Sequence, residues 1–135
     1  MYYIDTPTRV ISAFDFDDKS GEISNEKKVI KIPKFMGYPD GMTIDSEDLL
    51  WVCLWNGNAV IRCNPKTGRI ISKIEVPAPN VTACAFGGVN LDTLYITTAS
   101  SNMTNQQKII YPFAGSLFKA NPEVKGVKSI FFGNN

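Results

Sequence analysis

The sequence predicts an all-β fold: a β-propeller built from about three four-stranded units that form an incomplete ring. Three observations lead there. An apolar-aromatic pair recurs at Tyr3-Ile4, Trp51-Val52 and Tyr95-Ile96. A second apolar run follows each pair, "VISAFDFD" from Val10, "NAVIRCNP" from Asn58 and "AGSLFKANP" from Ala114. A glycine turn then follows, "DKSGEI" from Asp18, "PKTGRI" from Pro65 and, more loosely, "EVKGVK" from Glu123. A repeat of roughly 40 to 50 residues with four short strands per copy is propeller-blade grammar. Helical periodicity of useful length appears nowhere.

The copies are expected at residues 1–34, 38–77 and 80–133. In the first, Tyr3-Ile4, the run from Val10 and the amphipathic stretch Lys28 to Ile32 supply strands. Only Met1 and Tyr2 precede the first pair, so this copy is expected to lack its innermost strand and the chain to begin mid-blade. The middle copy is the clearest. A strand around Met42 to Ile44 leads in, and Leu49 to Trp55 is almost wholly apolar, as a strand covered on both faces would be. "WNGN" at Trp55 to Asn58 supplies an Asn-Gly hairpin turn. "NPKTGR" at Asn64 to Arg69 supplies a second turn. Ile70, Ser72, Ile74 and Val76 then alternate with Ile71, Lys73 and Glu75, predicting a half-buried strand. In the third copy Thr82 to Phe86 precedes Tyr95, and Val127 to Phe132 is expected to close the blade. The polar stretch containing Asn102, Asn105, Gln106 and Gln107 reads as a loop at a channel mouth.

Composition narrows the chemistry. The chain has 135 residues, 44% hydrophobic and 20% charged, with a net charge of +1. That is one domain with a real core and no clustered positive face, which argues against a nucleic-acid partner. No apolar run reaches the roughly 18 to 20 residues of a membrane span. "MYYIDTPTRV" lacks the charged and apolar regions of a secretory leader, so a cytoplasmic protein is expected. Cys53, Cys63 and Cys84 sit inside apolar runs and read as buried free thiols of a reducing compartment. There is no histidine, which excludes Ser-His-Asp and Cys-His nucleophile systems and His-ligated metals.

Asp40 stands between Pro39 and Gly41 at the start of an innermost strand. Pro39 fixes the entry, and Gly41 would let the backbone pass close to a ligand. The carboxylate reads either as a cation ligand or a general base aimed into a channel, or as a turn cap. Aligning Ile44 with Phe86 puts Thr82 at the equivalent place in the third copy, so the copies are not chemically equivalent. Asp45, Glu47 and Asp48 read as a solvated loop between strands. Asp15, Asp17 and Asp18 read as a turn between outer strands.

The motifs "YYID", "VISAFDFDDKSGEISN", "YPDGMTID", "LWVCLWNGNAVIRCNPKTG" and "ACAFGGVNLDTLYITTAS" occur in order over nearly the whole chain. They resemble the C-terminal half of the regucalcin/gluconolactonase, or senescence marker protein, family. The resemblance implies a six-bladed propeller holding one divalent metal (Ca, Mn, Mg or Zn) and hydrolysing a sugar lactone or related cyclic ester. It implies that Asp40, the acid of the "PDG" motif, is a metal ligand and general base. The family's other two ligands, a Glu and an Asn, fall in regions without counterpart here. The expectation is a lactonase fragment that is inactive alone. The alternative is a non-catalytic calcium-binding or structural half-propeller that pairs with itself or another chain.

Overall fold

A computed structural model describes residues 1–129. Among these residues ten strands form three antiparallel meanders that pack face to face, joined by loops that include one short α-helix and two single-turn 3-10 helices. The first is β1 (Tyr2–Asp5), β2 (Val10–Phe16) and β3 (Ile23–Lys31), in that order. The second is β4 (Tyr38–Ile44), β5 (Leu50–Trp55), β6 (Ala59–Asn64) and β7 (Arg69–Glu75). The third is β8 (Asn80–Gly87), β9 (Thr93–Ala99) and β10 (Leu117–Ala120). A single pair, Trp55 opposite Asn80, links the last two meanders into one hydrogen-bonded sheet.

The core lies between the meanders, and strand alternation decides which side chain goes where. On β5, Leu50, Val52 and Leu54 join Ile11, Ile30, Ile32 and Ile61 between the first and second meanders. The alternate residues Trp51 and Cys53 join Val60, Val81, Cys84, Leu94 and Ile96 between the second and third. A strand feeding two cores must be apolar at every position, which is why Leu50–Trp55 reads as an unbroken run. Trp51 meets Phe86 edge-on, with ring centroids 6.0 Å apart. All three cysteines are free and buried, as expected, and burial pushes the Cys63 thiol up to about 12.

Among the described residues β1 pairs with β2 alone. Three expectations need correction. Among the described residues the second meander has four strands and the first and third have three each. The last strand of the second, β7, forms where alternation predicts, but Ile70 and Ile71 are 37% and 51% exposed and only Ile74 is half-buried. As the outermost strand, β7 has no third layer to bury either face. The polar stretch near Asn102 contains a helix, α1 (Asn105–Ile110), begun by a reciprocal cap between Thr104 and Gln107. Of the expected closing strand, residues 127–129 are not in a strand and the remainder lies outside the described residues.

Candidate functional site

Asp40 lies on β4, the first strand of the second meander, which among the described residues pairs only with β5. A proline at position 39 is tolerated because β4 is an edge strand there. The register gives Asp40 its direction. Pro39 faces Leu54 and Met42 faces Val52, so Asp40 and Gly41 together oppose Cys53 alone. This is a β-bulge, a device that re-aims one side chain. Met42 and Ile44 pack on the first core, whereas the bulge turns Asp40 to the side of Cys53. The carboxylate is near enough for its charge to bear on the Cys53 thiol. That thiol is raised above its ordinary pKa first by a hydrogen bond with Cys84, then by burial and the neighbouring charges.

The Asp40 carboxylate is half-buried and has no hydrogen-bond partner among the described residues. Loss of water without compensation raises its pKa. Nearly every other buried polar group here is partnered, so the turn-cap reading loses its support: a cap would accept backbone N–H groups. Asp17 does so, from Lys19 and Ser20 at 2.8 and 3.1 Å. Asp17 and Asp18 therefore lie in the expected turn, while Asp15 stands on β2 opposite Ser24; the concavity of about 930 Å³ beside them is lined by residues 15–24 and not by Asp40.

The third meander repeats the device. Val81 faces Thr98 and Ala83 faces Thr97, so Thr82 is the extra residue of a bulge. Structure and repeat alignment thus agree that Thr82 is the counterpart of Asp40. Its hydroxyl is 2.7 Å from that of Thr97. Gly41 also lets β8 approach β4 closely. A Cβ there would lie 2.7 Å from the Thr82 carbonyl oxygen and 2.8 Å from the Ala83 Cα. Gly41→Ala is expected to cost about 1–3 kcal/mol by overpacking, read in a urea melt. Adding Ala83→Gly should recover only part, because two of the three nearest atoms are backbone; full recovery would refute this account of the β4–β8 contact.

Asp45 also needs correction. It is 0% exposed, and its loop is not simply solvated. Oδ1 accepts the backbone N–H groups of Glu47 and Leu49 at 2.9 and 3.1 Å. Oδ2 accepts Trp51 Nε1–H at 2.8 Å and Arg62 Nε–H at 2.7 Å. Arg62 extends the network to the exposed Glu47 at 2.7 Å. Burial pushes the Asp45 carboxyl up, but the hydrogen bonds from Arg62, Trp51, Leu49 and Glu47 together hold it below the usual carboxylate range. With every lone-pair direction engaged, Asp45 is a structural anchor.

Among the described residues no group of three or more His, Cys, Asp or Glu is placed to hold a metal ion. Asp40 nevertheless suits one: an acceptor-only carboxylate, half-shielded from water and unpartnered, is what a hard cation binds. No helix among them is long and apolar enough to cross a membrane.

A family model described as the SMP-30/gluconolactonase/LRE-like region matches residues 1–100. The chain is 45% identical over 135 residues to a candidate sugar lactone lactonase, YvrE, of Bacillus subtilis, covering 100% of this chain and 46% of that one. It is 42% identical over 130 residues to regucalcin of Danio rerio, covering 96% and 43%. The solved structure of a calcium-binding protein, regucalcin from Agrobacterium tumefaciens, superposes with a TM-score of 0.86 at 28% identity, covering 93% and 43%. The chain therefore spans less than half the length of these relatives, and its architecture is that of a partial β-propeller.

Proposed function

We propose that this chain, which belongs to the SMP-30/gluconolactonase/LRE-like family, supplies one side of a divalent-metal-dependent lactonase that hydrolyses a sugar lactone or related cyclic ester. The observation that carries this is the Asp40 carboxylate, turned by a bulge, half-buried and unpartnered. Asp40 is the residue that would hold the cation. A bound divalent cation would supply Lewis-acid polarisation of the ester carbonyl. Asp40 has two oxygens and a raised pKa, so its carboxylate can also take a proton from the attacking water. The bulge holds that carboxylate in place before substrate arrives, which lowers the ordering cost of the reaction.

One carboxylate holds a cation weakly, so little turnover is expected from this chain by itself. The test is a lactone hydrolysis assay, with manganese or calcium, on a chimera. In it this chain replaces the matching segment of the Bacillus subtilis relative, with and without Asp40→Asn. An active chimera that Asp40→Asn leaves unchanged would end the proposal.

A second reading is favoured by the outward faces of the end meanders. Tyr3 on β1 is 58% exposed, and Tyr95 on β9 and Leu117 on β10 are 38% and 64% exposed. Open sheet faces of this kind favour association. In this reading the chain is a structural half-propeller that pairs with a second copy. Sedimentation equilibrium is expected to return twice the 14.9 kDa chain mass; a monomer at all concentrations would remove the pairing.

A further inference from the structure

The strand that carries Asp40 is held at its entry from another meander. Arg9 sits in the turn between β1 and β2, in left-handed backbone at φ 59°. Its amide donates to the Thr6 carbonyl at 3.1 Å and its carbonyl accepts from Ile32 at 2.9 Å. The backbone of Arg9 is thus fixed to the first meander at both ends. Its side chain crosses to the second. Nε–H donates to the Gly37 carbonyl at 3.2 Å, and the guanidinium carbon lies 3.7 Å from the centre of the Tyr38 ring. Gly37 has its own constraint, since φ is 95° and a Cβ would fall on the Trp55 carbonyl. Residues 37 and 38 are therefore gripped on one side by β5 and on the other by Arg9. Asp40 follows two residues later, in a bulge whose geometry depends on where the strand enters.

Arg9 forms no ion pair with a carboxylate among the described residues, so its cationic side chain is committed to one carbonyl and one aromatic face. A planar guanidinium stacks on the ring while its Nε–H reaches the carbonyl; a lysine ammonium has no planar face to stack and no donor at that position in the side chain. The distance across which Arg9 reaches in sequence, from residue 9 to residue 37, makes it a tether between meanders rather than part of a local turn.

We propose that Arg9, stacked on Tyr38 and bonded to the Gly37 carbonyl, is a positioning residue that sets where the Asp40 carboxylate stands. This deepens the reading of Asp40 as a cation ligand and rests on it. Charge and position make opposite forecasts. If Arg9 acted only as a nearby positive charge, removing it would strengthen cation binding at Asp40. If it positions the strand, removing it weakens binding.

The experiment titrates manganese into the full 135-residue chain and follows paramagnetic broadening of amide NMR signals, a readout that detects weak binding. Broadening centred on Asp40 and Gly41 is expected, and Asp40→Asn should abolish it. Arg9→Met keeps the apolar stem and should weaken binding at least about threefold. Arg9→Lys should not rescue it, and Tyr38→Phe, which keeps the ring, should match the parent chain. Unchanged or tighter binding in Arg9→Met, or rescue by Arg9→Lys, would overturn the positioning role while leaving Asp40 as ligand. Broadening that persists in Asp40→Asn would overturn the ligand reading and the positioning role with it. A spectrum of Arg9→Met whose core signals remain at their parent positions separates loss of position from loss of fold.

Discussion

Asp45→Ala is expected to destabilise the chain by about 3–5 kcal/mol, the range for removing one partner of a buried ion pair. The loss has named parts. Arg62, whose side chain is 15% exposed, loses its buried carboxylate and keeps as ion-pair partner the exposed Glu47. The Trp51 indole N–H, buried with the rest of that side chain, is left without an acceptor, at about 1–3 kcal/mol. Two backbone N–H groups of the loop lose theirs. A urea melt of the parent chain and the variant measures the difference. A loss under 1 kcal/mol would mean that the network contributes little. Asp45→Ala combined with Arg62→Met should cost less than the sum of the two single changes, because residues of one network are not additive.

The same carboxylate sets an acid limit. Its folded pKa lies below the value of about 3.9 that an unfolded aspartate has. A depressed pKa means that the folded state binds its proton less tightly. The stabilisation is therefore complete above the unfolded value and is lost as the pH falls through the folded one. The gap in stability between the parent chain and Asp45→Asn should narrow in that acid window and not near neutrality.

Local pattern was enough for the strands. The unbroken run Leu50–Trp55, the alternation near Ile70 and the first two glycine turns are short-range signals, and strands form at each. Burial was harder to read, since it depends on what packs alongside. Ile70 and Ile71 carry the alternation of a half-buried strand, yet β7 is outermost and both are exposed. Asp45 misleads in the other direction: Ser46, Glu47 and Asp48 make its surroundings look wet, while the residues that bury it, Trp51 and Arg62, lie on the next two strands. Asp40 could be picked out because proline and glycine flank it, but its direction comes from a bulge. A two-against-one register is visible only once β4 is laid on β5. The role of Gly41 depends on β8, and the grip of Arg9 on Tyr38 joins two meanders. Long-range pairings of this kind leave no mark in a local window.

Asp40→Asn in the chimera with the Bacillus subtilis relative is expected to lower lactone turnover by about 10²- to 10⁴-fold, the contribution of a positioned acid–base group. Asparagine keeps the size of the side chain and removes both its charge and its proton affinity, so the loss would be chemical and not steric. Stability should move the opposite way. The raised pKa of Asp40 comes from burial without a partner, so the folded state binds its proton more tightly than the unfolded chain does. Ionisation then weakens the fold: the parent chain loses stability relative to Asp40→Asn as the pH rises through the raised folded value, and the two converge in acid. A strained or desolvated functional group often carries such a trade between stability and activity. Asp45 carries the reverse sign, for its carboxylate is saturated with donors and stabilises when ionised. Melts of Asp40→Asn and Asp45→Asn across the acid range distinguish the two roles without any substrate. If Asp40→Asn proved as destabilising at neutral pH as Asp45→Asn, Asp40 would be a second anchor of the fold and not a carboxylate kept open for a cation.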